Sequence, residues 1–101
     1  MKKFYGVVVV NVKNWQEYKK YSDLAGPELK KQVEKCGGKI LSRGGEIINI
    51  EGKAMNRIVL VEWPSAKNAK DFYYSQVYQE AMKYLNDDVS ERYFNLAESI
   101  D

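Results

Sequence analysis

Phe4-Tyr5-Gly6-Val7-Val8-Val9-Val10-Asn11-Val12 is the stretch that decides the fold. Its β-branched and aromatic residues make it a strand. A strand with one wet face should alternate polar and apolar residues, and this one does not. Tyr5, Val7 and Val9 fall on one side, and Phe4, Val8, Val10 and Val12 on the other. Arg57-Ile58-Val59-Leu60-Val61-Glu62-Trp63 behaves alike, with Val59, Val61 and Trp63 opposite Ile58 and Leu60. Both strands are therefore expected at the centre of a sheet, with both faces covered.

Outward from these strands, Asn14 is placed to cap a helix. Trp15, Tyr18, Ser22, Ala25, Leu29, Val33 and Cys36 recur at helical spacing and keep their phase across Gly26-Pro27. One kinked helix, or two nearly coaxial pieces, is expected there, closed by Gly37-Gly38. Lys39 to Glu51 reads as a second strand region interrupted by Gly44-Gly45, and Gly52 to Asn56 as a turn. After Pro64-Ser65 a helix begins with Ala66, Ala69, Phe72 and Tyr73 on one face. The later face of Tyr78, Ala81, Met82 and Leu85 is out of phase with it, so the helix breaks near Tyr74-Ser75. Ser90 to Ile100 reads as the last strand, with Arg92, Phe94 and Leu96 alternating with Tyr93, Asn95 and Ala97.

The order strand, helix, strand, strand, helix, strand is that of an α+β, ferredoxin-like βαββαβ fold. It implies a four-stranded antiparallel sheet with its two helices on one face. Helices on one side leave the other apolar face bare, and a second copy packed sheet to sheet would cover it. A homodimer is the expected assembly. The 101 residues, 45% hydrophobic and 30% charged, are enough for one domain over the whole chain, 1–101.

Sixteen Lys+Arg against fourteen Asp+Glu leave a charge of +2, with the signs interspersed. Neither nucleic acid nor a membrane surface is expected as a partner. The apolar start is interrupted by Asn11 and Lys13, too early for a secretory signal. A lone Cys36 excludes an internal disulfide and fits a reducing, cytoplasmic setting.

The chain resembles domain-of-unknown-function family 1330, of the dimeric α+β barrel superfamily. The carriers are the aromatic-led first strand, Tyr18 and Tyr21, and the run Gly37-Gly38-Lys39-Ile40-Leu41-Ser42-Arg43-Gly44-Gly45. They continue with Gly52, Arg57, Pro64-Ser65 and Ala69, then Tyr73, Ser75, Tyr78 and Gln79. Asn11-Val12-Lys13-Asn14 stands where members often carry an aspartate. The resemblance implies the dimeric barrel, and fold analogy assigns no activity.

There is no histidine, which removes the commonest general base and the usual metal and haem ligand. No metal and no cofactor are expected. Cys36 lies on the helix's apolar stripe as a small hydrophobe. The glycine pairs lack the spacing of a phosphate loop. The candidate ligand site is Arg43, Arg57, Tyr73, Ser75 and Tyr78, in a pocket between the sheet and the broken second helix. Arginine on a sheet with apolar faces needs a carboxylate, a carbonyl or a ligand anion. Glu46, Glu51 and Glu62 are the alternative partners. Tyrosine supplies an apolar body with one hydroxyl. Which face each arginine occupies stays open, because Gly44-Gly45 can shift the alternation by one residue. A small-molecule enzyme without metal, a module binding a small acidic or aromatic molecule, and a structural or protein-interaction dimer remain as the classes of function.

Overall fold

The computed structural model describes residues 2–101. Its elements are β1 (Phe4–Val12), α1 (Trp15–Lys35), β2 (Lys39–Arg43), β3 (Arg57–Trp63), α2 (Ala66–Tyr73), α3 (Gln76–Met82) and β4 (Ser90–Glu98). The four strands form one antiparallel sheet in the order β2-β3-β1-β4. The two doubly apolar strands are indeed central, and the more polar β2 and β4 are the edges. This is the ferredoxin-like α+β arrangement that the order of elements implied.

The register sorts each strand into two faces. On the helix side, three rungs run across the sheet. Arg57, Val10 and Arg92 stand side by side, then Val59, Val8 and Phe94, then Val61, Gly6 and Leu96. The opposite side carries Ile58, Val9 and Tyr93, then Leu60, Val7 and Asn95, then Glu62, Tyr5 and Ala97. No helix covers this second face. Val7, Val9, Ile58 and Leu60 are half-buried only by their neighbours, and Tyr5 and Tyr93 are exposed.

Local chemistry fixes the helix ends. Asn14 Oδ1 accepts from the Glu17 N–H at 3.1 Å. At the far end Gly38 N–H donates to the Val33 carbonyl and Gly37 N–H to the Glu34 carbonyl, the Schellman pattern. Gly37 holds φ at +85°, which explains glycine there. α1 runs unbroken through Pro27, as one helix rather than two pieces. The second helical region breaks where its phase required. Ser75 accepts from the Tyr78 N–H at 3.2 Å and donates to the Phe72 carbonyl at 2.7 Å.

β2 differs from its expectation. It ends at Arg43, and residues 44–56 form a loop rather than a continued strand. Gly44, at φ +70°, turns the chain away from the sheet, and among the described residues no neighbouring strand pairs with Glu46–Glu51. Ile48 and Ile50 are left 73% and 90% exposed. The irregularity in β2 also lies earlier than Gly44-Gly45. It falls between Ile40 and Ser42, and it brings Ile40 and Arg43 onto the same face, opposite Val61 and Val59.

Two hydrophobic clusters fill the helix side. Val33, Val61, Trp63, Ala69, Phe72 and Tyr78 form one, and Val10, Val12, Tyr18, Leu85 and Val89 the other. Trp63 is 1% exposed, the most completely enclosed large side chain. Met82 packs against both clusters. Among the described residues no helix is long and apolar enough to cross a membrane.

Candidate functional site

A cavity of about 400 Å³ opens between the two clusters, floored by the sheet and roofed by α1 with help from α3. The roof explains the space. Ser22 and Gly26 are the small residues on this stretch of α1, and a side chain built at Gly26 would meet nothing within 4 Å. A helix that presents small residues to a sheet leaves room beneath it.

Arginine's placement sets this cavity apart. The chain holds three arginines, Arg43, Arg57 and Arg92, and all three line it. They come from three different strands, which the register gathers on one face. No acidic side chain lines the cavity among the described residues. The ion pairs found among those residues all use lysine. Glu62, an expected partner for an arginine, instead lies 3.5 Å from Lys3 Nζ.

Arg57 and Arg92 are held differently, and Arg43 is exposed at the end of its edge strand. The Arg57 guanidinium sits 5.5 Å from the centre of the Tyr18 ring, a cation–π contact. Its Nε is buried and has no hydrogen-bond partner among the described residues. Arg92 donates to the Leu85 carbonyl at 3.3 Å and touches the Met82 sulfur. Gly44 packs directly against Arg57, since a Cβ there would lie 3.2 Å from Nη1.

Lys30, Ser22 and three phenols complete the polar part of the wall. Burial raises Tyr18 above the ordinary phenol value, and the Arg57 guanidinium beside it works the other way. Tyr21 is pushed up strongly by burial, then by the neighbouring phenols Tyr18 and Tyr78, with Arg57 and Arg92 opposing. Tyr78 is raised by burial and drawn back by Arg92. These phenols stay protonated at neutral pH and can donate a hydrogen bond to an anion.

Of the five residues expected to form the site, Arg43, Arg57 and Tyr78 line this cavity. Tyr73 does not. It lines a second, more open cleft of about 360 Å³ beneath α2, where Val8, Tyr78, Arg92 and Phe94 form the shared wall. Ser75 lines neither, because its hydroxyl is committed to capping α3. The roof is therefore α1 and not the broken second helix alone. Tyr18, Tyr21 and Arg92 were not among the expected site residues. Arg92 shares an alternation with Phe94 and Leu96, which was the signal for its face. The two tyrosines fall on or beside the apolar stripe of α1, where an aromatic reads as core.

A family model described as Domain of unknown function (DUF1330) matches residues 3–98. No curated protein matches the chain. Among solved structures, a protein of unknown function from Rhodopseudomonas palustris superposes with a TM-score of 0.70 at 17% identity, over 99% of this chain and 84% of that one. A protein described as dimeric ferredoxin-like from Thermobifida fusca gives 0.57 at 4% identity, over 97% and 92%. Another of that description, from an uncultured marine organism, gives 0.57 at 12% identity, over 100% and 96%. At such identities the likeness concerns the fold alone.

Proposed function

The chain belongs to the DUF1330 family, whose description carries no activity, and from that premise we propose that it binds a small acidic molecule in the cavity under α1, as half of a homodimer. The observation that carries this reading is the gathering of all three arginines around an apolar-walled cavity with no acid in the wall. The chain's other thirteen basic residues are lysines, of which Lys30 alone lines the cavity among the described residues, and the lysine ion pairs are solvent-exposed. Guanidinium is the cation suited to a planar carboxylate, because its fork matches two oxygens at once. A partly buried guanidinium with no acid in the surrounding wall gains charge-assisted hydrogen bonds from such an anion. A purely structural dimer gives no reason for an acid-free wall that gathers every arginine of the chain.

The same groups would serve a cofactor-free reaction, with an arginine holding the acid and a phenol acting as hydrogen-bond donor or proton source. Pairing of two copies is supported by the bare face of Val7, Val9, Ile58 and Leu60. It is supported also by the two structural neighbours described as dimeric. A cytoplasmic setting fits the single Cys36.

The test is a thermal-shift screen of small carboxylic acids against their uncharged amides. A ligand bound only by the native state raises the melting midpoint. Acids should raise it, the matched amides should not, and Arg57→Gln should lose the response. A screen in which no acid acts, or an unchanged response in Arg57→Gln, overturns the reading.

A further inference from the structure

The cavity floor changes character along the strands. Arg57 and Arg92 flank Val10 on one rung, and the next rung carries Val59, Val8 and Phe94. One step of two residues along a strand is about 6.7 Å. Charge therefore gives way to an aromatic surface over roughly the length of one ring. The aromatic end is continuous. Phe94 and Tyr78 have ring centres 6.3 Å apart, Tyr78 and Phe72 5.0 Å, and Phe72 and Trp63 5.4 Å. Gly6 lets these rings lie down on β1, since a Cβ there would come within 2.9 Å of the Trp63 indole nitrogen and 3.4 Å of the Phe94 ring.

Resting on the reading that the cavity takes an acid, we infer that the acid carries a flat apolar body. It lies along β1, with its carboxylate at the Arg57–Arg92 rung and its ring against Phe94 and Tyr78. Arylacetates and aromatic monocarboxylates of similar length are the class that fits. Arg57 is the principal anchor, because it stands on the central strand β3 and pairs with no acid among the described residues, while Arg92 already serves the Leu85 carbonyl. Short aliphatic acids reach the arginines and leave the aromatic end unfilled, forgoing its contact.

Trp63 lines the cavity, whereas the chain's other tryptophan, Trp15, is 53% exposed. A Trp15→Phe background therefore makes Trp63 the sole tryptophan, whose emission can be excited apart from that of the tyrosines. Titration of this protein with phenylacetate should change its emission saturably, with a Kd at least tenfold below that of acetate. Phenylacetamide should bind far more weakly than phenylacetate. Adding Phe94→Leu should weaken phenylacetate by roughly tenfold and leave acetate unchanged. Equal affinities for phenylacetate and acetate in the Trp15→Phe protein overturn the aromatic body while leaving the acid site standing. Equal weakening of both acids by Phe94→Leu overturns it too. Binding of neither acid, or of the amide as tightly as the acid, removes the acid reading beneath it as well.

Discussion

Arg57 and Arg92 stand on either side of Val10, one strand away in each direction, on the same face of the sheet. Strands about 4.8 Å apart put their Cα atoms about 10 Å from each other. Both act on Tyr18 and on Tyr21, opposing the rise that burial causes. Two guanidinium groups that influence the same phenols face a common space. The register of β1 with its two neighbours creates that convergence.

The same register decides which valine would face a partner in the proposed dimer. Val8 lines the cavity, while Val9 sits on the bare face between Ile58 and Tyr93. Light scattering at low micromolar concentration should report roughly twice 11.7 kDa. Val9→Asp should give monomer or unfolded chain, because it would bury an unpaired charge. A native monomer in the unmutated protein, or an intact dimer in Val9→Asp, would count against the pairing.

Gly38 follows the helix cap and lies under Trp63. A Cβ at this position would come within 2.7 Å of the Trp63 ring and 2.8 Å of Val33 Cγ1. Both neighbours are enclosed, so neither can move aside cheaply. Gly38→Ala should therefore cost about 2 kcal/mol in urea unfolding. A loss under about 0.5 kcal/mol would show that the Trp63 pocket is looser than described.

Much of this was legible in the sequence, and the parts that were not share a cause. The doubly apolar runs at Val7–Val10 and Ile58–Val61 named the central strands, because burial on both faces leaves no other pattern. The phase jump between Phe72 and Tyr78 gave the helix break. The extent of β2 was not legible. Ile47, Ile48 and Ile50 have strand propensity, but a strand also needs a partner, and the chain supplies none. The face of Arg43 depended on an irregularity beside Leu41, a residue with no turn signal, and not on Gly44-Gly45. The roof of the cavity depended on how α1 lies over the sheet, a long-range matter that local spacing does not carry.

The buried phenols set an alkaline limit. Tyr18, Tyr21 and Tyr78 hold their protons above the ordinary value of 10.0. The unfolded chain gives up these protons first, so it binds fewer of them above pH 10. The stability they contribute is complete below about pH 10 and is lost as pH rises toward the folded values, by up to about 1.4 kcal/mol per pH unit for each phenol. Urea midpoints should drop steeply above pH 10, and less steeply in Tyr21→Phe. An equally steep drop in that variant would contradict the assignment.

The most direct test uses the chain's three arginines, which give three side-chain Nε–H signals in a proton–nitrogen NMR spectrum. Assigned by single Arg→Lys variants, they can be followed while an acid selected in the thermal screen is added. Binding of the acid at the Arg57–Arg92 rung requires that the Arg57 signal moves furthest and the Arg92 signal follows it. Both should reach saturation at the same acid concentration, and the matched amide should leave them in place. Binding that shifts surface amides while the Arg57 and Arg92 signals stay where they are would contradict it.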